Sequence, residues 1–448
     1  MFEDLPAKLA PAYETGAANA PILLHEGPCA LLQNTSRLNG MASIRLEWLP
    51  HPRLAVRFYP SDRSVGAKIS LGPAKLDVPG LEACVEATLT SSPMLFWSNE
   101  TRPTEGRVGR VEFGEVSRCN RVRFHVPNFS FFLGDPVRSD PSSASLGRAV
   151  LQHGNFRVTL DRAMPHGHPL EEELPRDGGY AITHVGVIER TDGSTFQIAD
   201  IESTLSCVAY FLSYCRGAWT DPILLCAEDS SGSVVGQRWE LNHLIERYER
   251  TMSWLPVTEP VAGPMRQAFR GYSDAWFSTV WGDSIRIATQ WYIEGSKGAV
   301  EKSIILEQAA FELLAWTRLV EETKVLTVQA WNDRSFHFSK KLRQLLQNCS
   351  IPLPIPAELT RLQAYCKAQG ILDGPEALTR VRNALVHPTP TKRKLLQQDP
   401  GAAIDAWALA LWYLDLIILN VCAYNGRYSN RMIGGWRGDE IMKVPWAP

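Results

Sequence analysis

The hydrophobic pattern of this 448-residue chain changes abruptly at Pro264. Before Pro264, short segments such as 43–49, 121–126 and 155–160 alternate apolar with polar residues and end at Gly, Pro, Asn or Asp. This alternation is typical of half-buried antiparallel strands. After Pro264, apolar residues recur at spacings of three and four, which is typical of packed helices. The pattern predicts an α+β protein in which a β-rich half precedes a helical bundle.

Turn residues and prolines place the expected domain boundaries. We predict a β-rich domain over 1–255, a proline-rich linker over 256–264 and an all-α bundle over 265–448. One helix is expected within the first domain at about 200–217, where apolar residues take helical spacing and a glycine follows. A second, short helical piece is expected around 239–252.

Charge and cysteine usage exclude several classes of protein. The net charge is -2, with 24 basic and 31 acidic residues in 1–259 but 22 and 17 in 260–448, so nucleic acid is expected to meet the second half. The 9 cysteines include no C-x-x-C pair and no Cys/His cluster at zinc spacing. The segment that begins the chain is acidic and lacks a signal-peptide core. We therefore expect a cytoplasmic protein without a metal or other cofactor.

One segment, 406–424, is apolar enough to resemble a membrane span. Asp415 lies near its middle, and a carboxylate there costs about 2.5 to 3.5 kcal/mol on insertion scales. We therefore expect a buried bundle helix and no membrane contact. The tail 424–448 is expected to lie as a strap over the bundle or across a dimer interface.

The segment 380–388 combines polar residues that suit phosphate chemistry. Arg382 and Asn383 precede an apolar run, and His387 and Pro388 follow it. On a regular helix Arg382 and His387 would lie about 140° apart after one full turn, but Pro388 is expected to end the helix there and bring them together. The alternative is that Arg382 and His387 have no catalytic role and lie at the helix C-terminus because the helix dipole stabilises positive charge there.

Arg382-Asn383-x-x-x-His387 followed by Pro388, between two bundle helices, resembles the R-N-x-x-x-H signature of the HEPN superfamily, found in many bacterial toxin and antiphage ribonucleases. The resemblance covers roughly 260–448. It implies a HEPN-like bundle and metal-independent RNA cleavage, with Arg382, Asn383 and His387 as catalytic residues. A histidine can remove the proton of the ribose 2′-OH, and the guanidinium group of an arginine can donate two hydrogen bonds to the phosphate.

The same resemblance implies a homodimer in which two motifs line one cleft. Lys392, Arg393 and Lys394 follow the motif and are expected to bind the RNA backbone, although a short charge run is also typical of a solvated surface. The β-rich domain would restrain the nuclease or sense a phage-derived or cellular trigger. The alternatives are a catalytically inactive RNA-binding or dimerisation protein, acting as a sensor or accessory, and an accessory to a nucleotidyl-transfer partner.

Overall fold

The computed structural model describes the whole chain except residues 1–3, 15, 63–68, 80–83, 92–102, 242–244, 387–399 and 434–439. The first structural unit is a closed barrel of six antiparallel strands in the order β1-β2-β3-β6-β5-β4. Alternating apolar residues fill it, among them Leu31, Ile44 and Phe58, each fully buried. The strands are β1 (Ile22–Gln33), β2 (Ser36–Glu47), β3 (Arg53–Pro60), β4 (Gly72–Asp77), β5 (Val85–Ser91) and β6 (Thr104–Val108).

An antiparallel sheet of eight strands follows, in the order β7-β14-β13-β8-β12-β11-β10-β9. Its strands are β7 (Val111–Gly114), β8 (Arg121–Pro127), β9 (Asp135–Asp140), β10 (Ser143–His153), β11 (Phe156–Arg162), β12 (Ile182–Arg190), β13 (Ile223–Glu228) and β14 (Val234–Trp239). Helix α1 (Leu170–Asp177) precedes β12, and helix α2 (Glu202–Arg216) precedes β13. Helix α2 ends at Gly217, whose φ of 74° is the left-handed conformation that glycine adopts without strain.

The helical half begins at residue 262. Its helices are α3 (Ala262–Trp276), α4 (Gly282–Gly295), α5 (Val300–Trp316), α6 (Val328–Trp331), α7 (Phe338–Asn348), α8 (Thr360–Gln369), α9 (Gly374–Val386) and α10 (Pro400–Val421), with a π-helical turn (Thr317–Glu322) after α5. Two short strands of the tail, β15 (Arg427–Ser429) and β16 (Ile441–Lys443), pair with each other.

The two faces of the large sheet carry different neighbours. Apolar residues of one face, including Phe124 and Leu160, join α2 and the helical half in one continuous hydrophobic cluster. The opposite face packs on the barrel, and Ile223 and Trp239 belong to the barrel cluster. The sheet therefore forms the middle layer between the barrel and the helices.

The α+β architecture predicted from the sequence is confirmed, with the β-rich half before the helical half. The helix expected at about 200–217 is α2. The prediction of a short helix around 239–252 is wrong for the described residues of that range. Trp239 ends β14 opposite Val111, and the described residues from there to 252 form no helix, with Tyr248 N donating to the distant Gly179 O at 2.7 Å.

Helix α10 is long and apolar enough to cross a membrane, yet most of it is buried inside the protein. Asp415 lies on this helix with a fully buried side chain. Arg431 of the tail reaches it and donates from Nε to Oδ2 at 2.6 Å and from Nη2 to Oδ1 at 3.2 Å. The expectation that 406–424 forms a buried bundle helix is therefore confirmed, and the carboxylate that made the segment unusual has its own cation.

We expect Arg431→Met to lower the free energy of unfolding by about 3 to 5 kcal/mol, because it leaves Asp415 buried without its cation. Urea denaturation followed by circular dichroism measures the change. The double variant Asp415→Leu/Arg431→Met should recover much of the loss, since neither charge is then buried alone.

The matched control is Arg286→Met, whose exposed partner Asp283 lies 3.4 Å away on the protein surface. It should cost less than about 1 kcal/mol. An Arg431→Met protein as stable as this control would contradict the structural role of the buried pair.

Candidate functional site

The candidate site lies at the C-terminal end of α9, and the N-terminal end of that helix is firmly held. Asp373 caps α9, since its Oδ1 accepts a hydrogen bond from Glu376 N at 3.0 Å. The same carboxylate binds Arg343 of α7 through two hydrogen bonds, of 2.7 and 3.1 Å. Pro375 lies in the first turn, where its missing N–H costs nothing. One aspartate therefore both starts α9 and ties it to α7.

The spacing of apolar residues fixes which side of α9 faces inward. The helix packs against α5, α7 and α10. Its buried side chains recur at helical spacing and include Ala377, Leu378, Val381 and Ala384. Arg382 and Asn383 lie beside this buried stripe and are partly buried themselves.

Arg382 and Asn383 contact each other. Arg382 Nη1 donates to Asn383 Oδ1 at 3.2 Å. Arg382 Nε is buried and has no hydrogen-bond partner in the described part of the chain. The carboxylates of that part also form no ion pair with Arg382, whereas Arg380, two residues earlier, pairs with Glu376 at 3.4 Å. Among the described residues, Arg382 is therefore a partly buried cation whose hydrogen bond goes to a neutral amide and not to a carboxylate.

His387, Lys392, Arg393 and Lys394 lie outside the described residues, which end for this helix at Val386. Of the expected site, the structure thus brings together Arg382 and Asn383. Asn383 thus uses its side-chain oxygen to accept a hydrogen bond from the Arg382 guanidinium.

Metal-ligating residues are not clustered in the part of the chain that the structure describes, where no group of three or more His, Cys, Asp or Glu side chains could hold an ion. His166, on an exposed loop, places its Nδ1 3.2 Å from Glu171 Oε2. His168 Nδ1 instead accepts from Leu170 N at 3.3 Å. The histidines of this loop therefore point to separate local partners.

A second polar centre, in the core of the helical half, was not expected from the sequence. Arg431 Nη2 donates to the Tyr292 hydroxyl at 2.9 Å in addition to binding Asp415. Burial raises the pKa of Asp415, while the neighbouring Arg431 lowers it. Glu307 is also fully buried, and burial raises its pKa well above the usual range. The signal in the sequence was Asp415 itself, since a carboxylate within an apolar helix needs a cation from elsewhere.

Comparison with known proteins places the chain near one family of proteins. The YopA central domain model matches residues 114–251, and the YopA C-terminal domain model matches residues 278–442. The chain is 26% identical over 318 residues to the SPbeta prophage-derived uncharacterized protein YopA of Bacillus subtilis (strain 168). That alignment covers 70% of this chain and 69% of the relative. No solved structure matches the chain.

These matches correct the family resemblance drawn from the sequence. The helical region that resembled the HEPN superfamily matches the YopA C-terminal domain, and no HEPN family model matches. The reason is the brevity of the signature. Three polar residues at the end of one helix depend on that helix alone, so unrelated helical bundles can carry them.

We expect Asp373→Ala to lower the free energy of unfolding by about 1 to 2 kcal/mol, because α9 loses its cap. Asp373→Asn should cost less, since an asparagine oxygen accepts the same bond. Chemical denaturation measures both changes. The matched control is Asp283→Ala in the first turn of α4, where the side chain is exposed, and a loss there as large as in Asp373→Ala would contradict the capping role.

Proposed function

We propose that this protein is a metal-independent endoribonuclease whose site is formed by Arg382, Asn383 and His387. One observation carries the proposal, namely that Arg382 is partly buried, bound by an amide and unpaired by any carboxylate of the described residues. Holding a cation in this way costs desolvation energy that a bound anion offsets. The phosphate of RNA is an anion whose geometry fits the guanidinium fork.

The proposed reaction uses the 2′-hydroxyl of the RNA. His387 removes the hydroxyl proton, the 2′ oxygen bonds to the adjacent phosphorus, and the bond from phosphorus to the 5′ oxygen breaks. A protonated group donates a proton to that leaving oxygen. The products are a 2′,3′-cyclic phosphate and a 5′-hydroxyl. Arg382 donates to the non-bridging oxygens as negative charge builds on them, while Asn383 keeps the guanidinium oriented.

The supply of proton carriers favours a homodimer. The reaction needs one group that accepts a proton and one that donates a proton, but His387 and His337 are the only histidines after residue 264. A second copy of the chain would bring a second His387 to the same phosphate in a twofold arrangement. Lys392, Arg393 and Lys394 would then hold the RNA backbone on either side.

The proposed setting is the cytoplasm, in an antiphage, abortive-infection or toxin-type system. The relative in Bacillus subtilis is named as prophage-derived, which supports a role in conflicts that involve phage. The second candidate is a protein that binds RNA or dimerises without cleaving it. The partly buried Arg382 could also bind RNA in a protein of this second kind. The variants described below distinguish cleavage from binding alone.

Arg382→Ala and His387→Ala should each lower the rate of RNA cleavage by about 10²- to 10⁴-fold, since each removes a group that acts on the reacting phosphate. Cleavage of a labelled RNA by purified protein measures the effect, and circular dichroism checks the fold. The matched control is Arg380→Ala on the same helix, whose exposed side chain pairs with Glu376. Full activity in a folded His387→Ala protein would refute the proposed site.

Cleavage should continue in EDTA and should leave 2′,3′-cyclic phosphate ends, because attack by the 2′-hydroxyl needs no metal ion. Hydrolysis by two metal ions would stop on chelation, since the metals activate the attacking water. End-group mapping of the fragments distinguishes these chemistries. Fragments with 3′-hydroxyl ends that form only with added metal would contradict the mechanism, and binding without any cleavage would favour the second candidate.

A further inference from the structure

Residues 4–13, here called the N-terminal segment, run across the face of the large sheet that also carries the barrel. A row of polar side chains lies beneath them. Arg148 pairs with Asp161, Asp161 with Val185, and Val185 with His125 in the registers of four adjacent strands. These residues therefore share one face and follow one line across β10, β11, β12 and β8.

The backbone of the N-terminal segment binds this row in order. Arg148 Nη2 donates to Ala7 O at 2.8 Å. Leu9 N donates to Asp161 Oδ2 at 2.8 Å, and Ala12 N donates to His125 Nε2 at 3.0 Å. From Ala7 to Ala12 an extended chain spans roughly 17 Å. The three strand spacings that it crosses add up to roughly 14 Å, so an extended peptide fits the row.

The recognition is directed at the peptide backbone, which any sequence possesses. Arg123 adds a further hydrogen bond to Ala10 O, and at the edge of the sheet Lys8 N donates to Arg138 O of β9. The side chains of Pro6, Ala7, Ala10 and Ala12 are exposed. Little of the specificity at these positions therefore comes from side chains of the segment.

Tyr13 acts as the anchor, because its side chain forms hydrogen bonds with the sheet. Its hydroxyl donates to Gln237 Oε1 at 2.7 Å and accepts from Trp239 Nε1 at 2.9 Å. Its ring meets His125 edge to face at 5.2 Å. One aromatic anchor beside a backbone-reading row is a common way in which proteins bind extended peptides.

The row is built to tolerate loss of the segment. Asp161 forms two hydrogen bonds with Arg148, and Glu228 pairs with Arg123, so these charges keep their partners without the segment. Water can solvate such a polar surface once it is uncovered, whereas an apolar groove would be left exposed to water. Asp161 and Glu228 therefore keep their ion-pair partners when the N-terminal segment is released.

We propose that Arg123, His125, Arg148 and Asp161, with the Tyr13 pocket at Gln237 and Trp239, form a peptide-binding groove. The N-terminal segment occupies this groove in the present structure. Its ligand is an extended segment of a partner protein that carries a tyrosine at the position of Tyr13. The partner segment displaces the N-terminal segment, so the groove is the place at which the partner protein engages the β-rich half. This inference does not depend on the proposed ribonuclease activity.

The test uses the full chain and a fluorescein-labelled peptide with the sequence of residues 4–14. Wild-type protein should bind the peptide weakly, because the tethered segment competes at an effective concentration in the millimolar range. Full-length Tyr13→Ala and Ala12→Pro proteins each weaken the tethered segment and should bind the peptide at least roughly 10-fold more tightly in fluorescence anisotropy. Tyr59→Ala, on an exposed barrel position, is the matched control and should bind as the wild type does.

Modified peptides then test how the groove reads its ligand. N-methylation of the residue that corresponds to Leu9 removes the donor to Asp161 and should weaken binding by roughly 10-fold or more, as should alanine in place of the tyrosine. Alanine in place of Lys8 or of either leucine should weaken binding less than alanine in place of the tyrosine.

Two results would overturn the proposal. One is that folded Tyr13→Ala and Ala12→Pro proteins bind the peptide no better than the wild type, which would make the N-terminal segment a permanent part of the fold. The other is equal binding of the N-methylated and unmodified peptides, which would place the interaction elsewhere. Thermal unfolding of each variant shows whether it is folded. If Tyr13→Ala does not fold, Ala12→Pro still tests the proposal.

Discussion

The buried pair of Asp415 and Arg431 is the interaction on which the helical half depends. It neutralises a carboxylate in the most apolar helix of the chain and joins that helix to the tail. Tyr292 of α4 binds the same arginine, and the Tyr214 hydroxyl of α2 donates to Asp415 O at 2.9 Å. Elements from the sheet layer, the bundle and the tail therefore meet at one point of the core.

That arrangement determines how the two proposed functional surfaces relate. The helices share a hydrophobic cluster with one face of the sheet, so α9 and its site belong to the same packed body as α2. The N-terminal segment and the barrel lie on the other face. A peptide bound in place of the segment would therefore act on the site only through the sheet and the helix α2 that packs on it.

Much of the fold could be predicted from periodicity. The strand and helix patterns change where the structure changes, and the helices expected at about 200–217 and within 406–424 correspond to α2 and to α10. Closure of the first six strands into a barrel could not be predicted, because alternation indicates a half-buried strand without its partners. The expected helix at 239–252 failed because Trp239 belongs to β14 and because the backbone N–H groups of Glu246 and Tyr248 bind Trp219 O and Gly179 O, which are distant in sequence.

The site was predictable only in part, for a related reason. Arg382 and Asn383 are neighbours in sequence, so their contact needs no tertiary information. The partner of Asp415 lies 16 residues away in the tail, and pairing of that kind depends on the packed fold. The family resemblance failed because it used one helix end, whereas the matched models cover 114–251 and 278–442.

Attack by the ribose 2′-hydroxyl is the central step of the proposed function, and one substrate tests it directly. The purified protein is given an RNA whose mapped cleavage site carries a single 2′-deoxyribose on the 5′ side of the cut, beside the unmodified RNA. We predict that the cut at that position disappears while cuts at other positions persist, because the nucleophile is missing there. Cleavage at the deoxy position at the unmodified rate would contradict the mechanism.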